Sequence, residues 1–250
     1  MKTLSMVLLT LLLASFSAPF VTAGNVEMAW GNCRAAGGST IRTFACDANT
    51  GYNVILCTVT TARPSQQIVG LAGEIFLLAD SPELPAWWQL VNPASCRPSA
   101  LAAGFDFSSI ESDSCYNLWS GPGSGTGGVA AYQTVMTFPP VPGGHANSAR
   151  IRVGAAATTA SPADSGQRYL CFSLRLSNTK TVGNDVCSGC SVPVCIRAAT
   201  VRLYNQDGSV DVLTGSTSDS EVHWQEGEPG PCAWPRDLGM LWGRTRGLFR

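Results

Sequence analysis

The chain has 250 residues, 45% hydrophobic and only 13% charged, with ten cysteines and a formal net charge of −1. That composition is too apolar and too weakly charged for a disordered segment, and it lacks the Ala, Glu, Lys, Leu and Arg dominance of a coiled coil. Outside the last fifteen residues there is no basic block of the kind that binds nucleic acid, and the length supports one large domain or two small ones with a proper core.

The first element is a leader. Lys2 supplies a positive start, Met6–Ala14 an apolar run, and Val21-Thr22-Ala23 places small residues before a cut at Gly24. Residues 1–23 therefore read as a secretory signal peptide, and the mature chain is expected in the periplasm, at the cell surface or outside the cell. No later stretch is long and apolar enough for a helical membrane span, so none is expected after cleavage. All the cysteines follow the cut: Cys33, Cys46, Cys57, Cys96, Cys115, Cys171, Cys187, Cys190, Cys195 and Cys232. An even count in an exported chain reads as a disulfide framework with few or no free thiols. Cys33 with Cys46 and Cys96 with Cys115 are the shortest local pairings, although spacing alone does not fix connectivity.

Strand signals fill the mature region. Residues 41–46 and 52–60 flank the turn-forming Asp47-Ala48-Asn49-Thr50-Gly51 and predict a hairpin. Residues 68–79 form a long apolar run with Gly70 and Gly73 where bulges can sit. Residues 130–138 and 149–153 alternate between polar and apolar, and residues 169–176 set Leu170, Phe172, Leu174 and Leu176 on one face. Residues 194–204 and 210–213 bracket Asn205-Gln206-Asp207-Gly208, whose Asp-Gly step signals a second hairpin. About eight strands without a long amphipathic helix predict an all-β antiparallel sandwich, jelly-roll or immunoglobulin-like, over residues 24–235. Residues 81–128 read as one long insert. It holds Trp87, Trp88, Cys96, Cys115 and Trp119, a short helix expected around Pro98–Ala103, and a glycine-rich loop from Gly121 to Gly128.

Most chemical motifs do not survive inspection. Gly123 to Gly128 matches the dinucleotide glycine pattern in form, but an extended strand follows where a helix N-terminus is needed. Cys187-Ser188-Gly189-Cys190 with Cys195 could suggest zinc or thiol redox chemistry; export and the strand that follows favour structural disulfides. There is no G-x-S-x-G elbow, and His145 and His223 are the only histidines. Carboxylates for glycoside hydrolysis could come from Glu74, Asp80, Glu83, Asp106 or Asp113, at separations the sequence does not give. Asp219, Glu221, Glu226 and Glu228 form an acidic stretch, and Asn205-x-Asp207-Gly208 imitates part of a calcium loop whose first and last ligand positions hold Leu203 and Thr214. No cofactor and no metal are expected.

The strongest ligand-binding candidates are Trp87 and Trp88. Neighbours on a strand point to opposite faces, so one ring should anchor the insert while the other stays exposed to stack a sugar. The last segment, residues 236–250, sets Arg236, Arg244, Arg246 and Arg250 among Trp242, Leu248 and Phe249. Arginine beside aromatic rings suits recognition of an acidic surface, either on this domain or on an envelope partner.

Trp30-Gly31-Asn32-Cys33, Phe44 to Gly51, Leu84-Pro85-Ala86-Trp87-Trp88 with Cys96-Arg97, Cys187 to Val194, and the ending Trp242 to Arg250 recur together in one chain. In that combination the sequence resembles a group of uncharacterised secreted, cysteine-containing bacterial proteins with a C-terminal WGxx[KR]xL[YF]R-type tail. The resemblance implies export and a bacterial source; no activity attaches to the group. The functional expectation is a secreted structural or binding module, with an extracellular glycan or a cell-envelope protein as partner. The alternative is a secreted hydrolase of glycans or esters, which would gather its carboxylates and histidines into one cleft.

Overall fold

A computed structural model describes residues 24–90, 95–108, 110, 114–120, 126–134, 145–215 and 218–225. The leader 1–23, Cys232 and the tail with Trp242, Arg244, Arg246, Phe249 and Arg250 lie outside the described residues. In chain order the strands are β1 (Asn25–Trp30), β2 (Ile41–Arg42), β3 (Tyr52–Thr60), β4 (Ser65–Ala79), β5 (Leu101–Gly104), β6 (Tyr116–Asn117), β7 (Thr126–Thr134), β8 (Ser148–Ala163), β9 (Arg168–Ser177), β10 (Val194–Asn205), β11 (Val210–Thr214) and β12 (Glu221–Trp224). They form a β-sandwich. One sheet of five strands runs β1-β3-β9-β5, with β6 also on β9; the other, of seven, runs β2-β12-β10-β4-β8-β7, with β11 also on β10. Pairing is antiparallel except for the short β2–β12 and β6–β9 contacts.

Apolar residues of the two sheets meet between them. Ile55, Phe172 and Leu174 of the smaller sheet, and Ile75, Leu77, Ile151, Val201 and Leu203 of the larger, are all buried. Gly73 lies under the opposite sheet, since a Cβ there would be 3.0 Å from the Phe172 ring. Its glycine thus serves a ring contact, while the irregularity expected in this run falls between Ile68 and Gly70. Residues 169–174 of β9 are buried whichever way they point. The centre of the smaller sheet therefore has both faces covered, beyond the one-face pattern expected for Leu170, Phe172, Leu174 and Leu176.

Three expectations are corrected by the pairing. Residues 41–46 do not form a hairpin with β3, because β1 and β9 already occupy both of its edges. Ile41–Arg42 instead joins β12 in parallel, and Cys46 leaves the sheet to bond Cys190. The short helix expected near Pro98–Ala103 is replaced by β5, which pairs with Leu174 and Leu176. Thr126–Gly128 belongs to β7 and not to a free glycine loop.

Segment 81–128 is thus integral to the sandwich. β5 and β6 lie along the same edge of β9 and leave a gap at Cys171, whose carbonyl accepts the Trp119 indole N–H at 2.8 Å. Two disulfides tie the segment to distant strands and loops, Cys33–Cys115 and Cys96–Cys187, and Cys46–Cys190 closes a third long loop. The local pairings Cys33–Cys46 and Cys96–Cys115 are therefore not formed. Cys195 is also disulfide-bonded. Cys57 and Cys171 are free and buried, a departure from complete pairing. Among the described residues no helix is long and apolar enough to cross a membrane.

Candidate functional site

The two tryptophans chosen for ligand stacking are not at the surface. Ala86–Trp88 is a single 3-10 turn, held by Trp88 N–H to Pro85 O at 2.9 Å and Trp87 N–H to Ser188 O at 2.9 Å. The strand rule that would send adjacent rings to opposite faces does not apply to such a turn, and both are 0% exposed. Trp87 stacks on Trp224 with centroids 5.1 Å apart, and Trp88 meets Trp224 edge-on at 5.5 Å. Trp30 and Phe44 complete the group around Trp224. Trp87 donates its indole N–H to Thr181 Oγ1 at 3.0 Å, and Trp224 donates to Cys190 O at 2.7 Å. These rings form a core cluster and present no stacking platform.

The chemistry-bearing groups are scattered in the same way. Glu74 faces Arg150 at 3.1 Å, Asp219 faces Arg34 at 2.7 Å, and Glu221 faces Arg197 at 3.5 Å. Asp106 accepts the Ser108 N–H at 3.0 Å. Cys187 and Cys190 belong to different disulfides, which removes the redox and zinc readings of that motif. Cys195, Glu221 and His223 bring potential ligand atoms within 4.8 Å of one another. Cys195 offers no thiolate, however, since it is disulfide-bonded, and Glu221 is engaged by Arg197.

A polar cleft of about 380 Å³ opens at one end of the sandwich, lined by Arg63, Pro64, Ser65, Gln67, Asn205, Asp207, Ser209 and Asp211. The β10–β11 hairpin builds one wall. Gly208, at φ 82°, takes the left-handed conformation that the turn requires, and its N–H donates to Asn205 O at 3.0 Å. Asp207 Oδ1 accepts the Ser209 N–H at 2.9 Å. The start of β4 and the residues before it make the other wall, fastened by Gln206 N–H to Gln67 O at 2.8 Å.

Asn205 is the hub. Its Oδ1 accepts the Ser65 hydroxyl at 2.5 Å, and its Nδ2 donates to Ser209 Oγ and to Asp211 Oδ2, each at 3.1 Å. Arg63 reaches Asp211 Oδ1 through Nη2 at 2.6 Å and through Nε at 3.2 Å. Ser209, by side chain and backbone, holds the Asp207 carboxyl below the usual carboxylate range. The arrangement presents fixed donors and charged acceptors to solvent. Its lining holds no histidine and its acids are already engaged by hydrogen bonds or an ion pair, so it suits recognition by hydrogen bonding better than proton transfer.

The hairpin and its Asn205–Asp207 pair are readable in the sequence. Arg63 is not, because it lies 148 residues from Asp211 and carries no local motif. No family model matches the chain, and no curated protein matches it. Among solved structures it is similar to the cohesin module of a family 33 glycoside hydrolase from Clostridium perfringens, at 11% identity and a TM-score of 0.34, over 82% of this chain and 98% of that module. Likeness at that level carries no argument about ligand or activity.

Proposed function

We propose that this chain is an exported binding module that captures a hydroxyl-rich ligand, a glycan, in the polar cleft at the β10–β11 hairpin. The signal-peptide character of residues 1–23 directs it out of the cytoplasm, and residues 236–250 serve contact with an acidic surface of the envelope. The observation that carries the reading is the Asn205-centred network. It holds a carboxylate, an amide and a guanidinium in place before any ligand arrives, so little ordering entropy is lost on binding. Vicinal hydroxyls match such a set, since each can donate to Asp207 and accept from Arg63 or Gln67. The hydrolase alternative finds less support, because both cleft carboxylates are already hydrogen-bonded or ion-paired.

The test is a polysaccharide and glycan array probed with the wild type, Asp207→Ala and Arg63→Ala. Both side chains are at the surface, so the melting temperature should change little while capture is lost. A wild type that binds no glycan, or variants that bind as well as it does, would overturn the reading. Deleting residues 236–250 should leave cleft binding intact and reduce retention at the cell surface.

A further inference from the structure

The seven-stranded sheet ends in β7, and among the described residues only β8 pairs with it. About half the N–H and C=O groups of such an edge strand point away from its one neighbour. Here that edge is open. Gly127 and Gly128 are exposed, and because glycine has no side chain, what they expose is backbone. A Cβ at Gly127 would meet nothing within 4 Å among the described residues, and Val129 is 71% exposed.

Strand edges are ordinarily protected by shortness, by charge or by proline. The other edges of this sandwich follow that rule. β2, β5 and β6 have two to four residues, β11 has five and carries Asp211, and β1 carries Glu27. β7 has nine residues, Thr-Gly-Gly-Val-Ala-Ala-Tyr-Gln-Thr, with neither a charge nor a proline. Its inward side is anchored: Tyr132 donates its hydroxyl to Trp88 O, and Gly128 lies so close to the Phe105 ring that a Cβ would clash at 2.3 Å. The outward backbone groups are therefore set in place before any partner arrives, which lowers the entropy lost on pairing.

We propose that β7 pairs with β7 of a second copy of this chain, antiparallel about a two-fold axis at Ala130, so that two seven-stranded sheets join into one. The strand's own sequence favours a copy over an unrelated strand. Centred at Ala130, the full length pairs with itself: Thr126 meets the partner's Thr134, Gly127 the partner's Gln133, Gly128 the partner's Tyr132 and Val129 the partner's Ala131. Every pair sets a smaller residue against a larger one or like against like without charge, and the two threonine pairs can hydrogen-bond. An edge contact is of modest area, so the dimer forms in a concentration-dependent equilibrium. β7 lies three strands from β10, so this pairing and the cleft proposal can fail separately. Sedimentation of the mature chain over a range of concentrations should show monomer and dimer in exchange. Val129→Lys sets an ammonium beside the partner's Ala131, in line with the partner's Arg152. It should weaken the dimer by about tenfold or more, and the melting temperature of the monomer should hold because the side chain is exposed. Ala130→Cys should cross-link two chains when oxidised by glutathione disulfide, since its two copies face each other with Cα atoms about 4.5–5.5 Å apart. Val129→Cys, offset from its own copy, should not. A wild type that stays monomeric up to about 1 mM, a dimer that Val129→Lys leaves intact, or cross-linking through Val129→Cys in preference to Ala130→Cys would overturn the proposal.

Discussion

Cys57 and Cys171 meet where β9 carries one extra residue against β3, since Cys57 pairs with Phe172 and Thr58 with Leu170. The Cys171 thiol donates to the Cys57 carbonyl at 3.2 Å, and neither residue is exposed to solvent. Desolvation, reinforced by the hydrogen bond and charge of the neighbouring thiol, drives the Cys57 thiol well above its ordinary value. A protonated, buried thiol is a poor nucleophile. Titration of the unreduced protein in denaturant should therefore find two reactive thiols, and the native protein should show none. Alkylation of the folded chain at the rate of a free peptide thiol would contradict this environment. A second residue-scale expectation concerns Asp207. Because its carboxyl is depressed by Ser209, it stays charged until the pH falls through that lowered value. Glycan capture should accordingly be level between about pH 5 and about pH 8 and decline only in stronger acid. A midpoint near the ordinary histidine value would place the recognition elsewhere.

At the scale of elements, Cys187-Ser188-Gly189-Cys190 works as a double anchor. Its two cysteines reach Cys96 and Cys46, and Ser188 O accepts the Trp87 N–H. Gly189 sits between them at φ 93°, where a Cβ would lie 2.2 Å from Pro85 Cβ. A side chain there meets both an unfavourable backbone conformation and a direct clash with the turn that carries the tryptophans. Gly189→Ala should destabilise the protein by about 2–4 kcal/mol in a denaturant titration, whereas Gly166→Ala, also at positive φ but in open space, should cost about 1 kcal/mol. The contrast shows what the sequence could and could not disclose. The alternation in β8, the apolar run of β4 and the Asp207-Gly208 turn are local signals, and each yields a strand or hairpin where one was expected. The partner of residues 41–46 is a competition among strands, and the fate of Trp87-Trp88 depends on a turn closed by Pro85 and Ser188. No local pattern reports either. The cleft was half legible for the same reason: Asn205 and Asp207 lie in a recognisable turn, while Arg63 and Ser65 come before the β4–β10 ladder, whose last pair is Asn205 with Ile68, and no local pattern sets them beside that turn.

For the whole molecule, the long-range disulfides decide how the 81–128 segment is held. Cys96–Cys187 spans 91 residues and Cys33–Cys115 spans 82, so each removes a large loop from the unfolded ensemble. The chain-entropy estimate for loops of that size is about 4–5 kcal/mol, and measured values run from about 2 to about 5. The two bonds differ in what else they secure. Cys33–Cys115 fixes the end that bears β6 and Trp119, next to the β9 edge. Cys96–Cys187 fixes the end that bears Trp87, Trp88 and Arg97, beneath Trp224. Replacing Cys96 and Cys187 together by Ala should lower stability by about 2–5 kcal/mol. It should also loosen the tryptophan cluster before the sheets separate, because β4, β8 and β10 make no use of that bond. Thermal unfolding would then show a red shift of tryptophan emission at lower temperature than the loss of the β signal in circular dichroism. The same double change at Cys33 and Cys115 should leave the two transitions closer together, since Trp119 is bound to the β9 backbone itself. Coincident transitions in the Cys96/Cys187 variant would mean that the cluster is held by packing alone, and that the disulfide acts only on the unfolded chain.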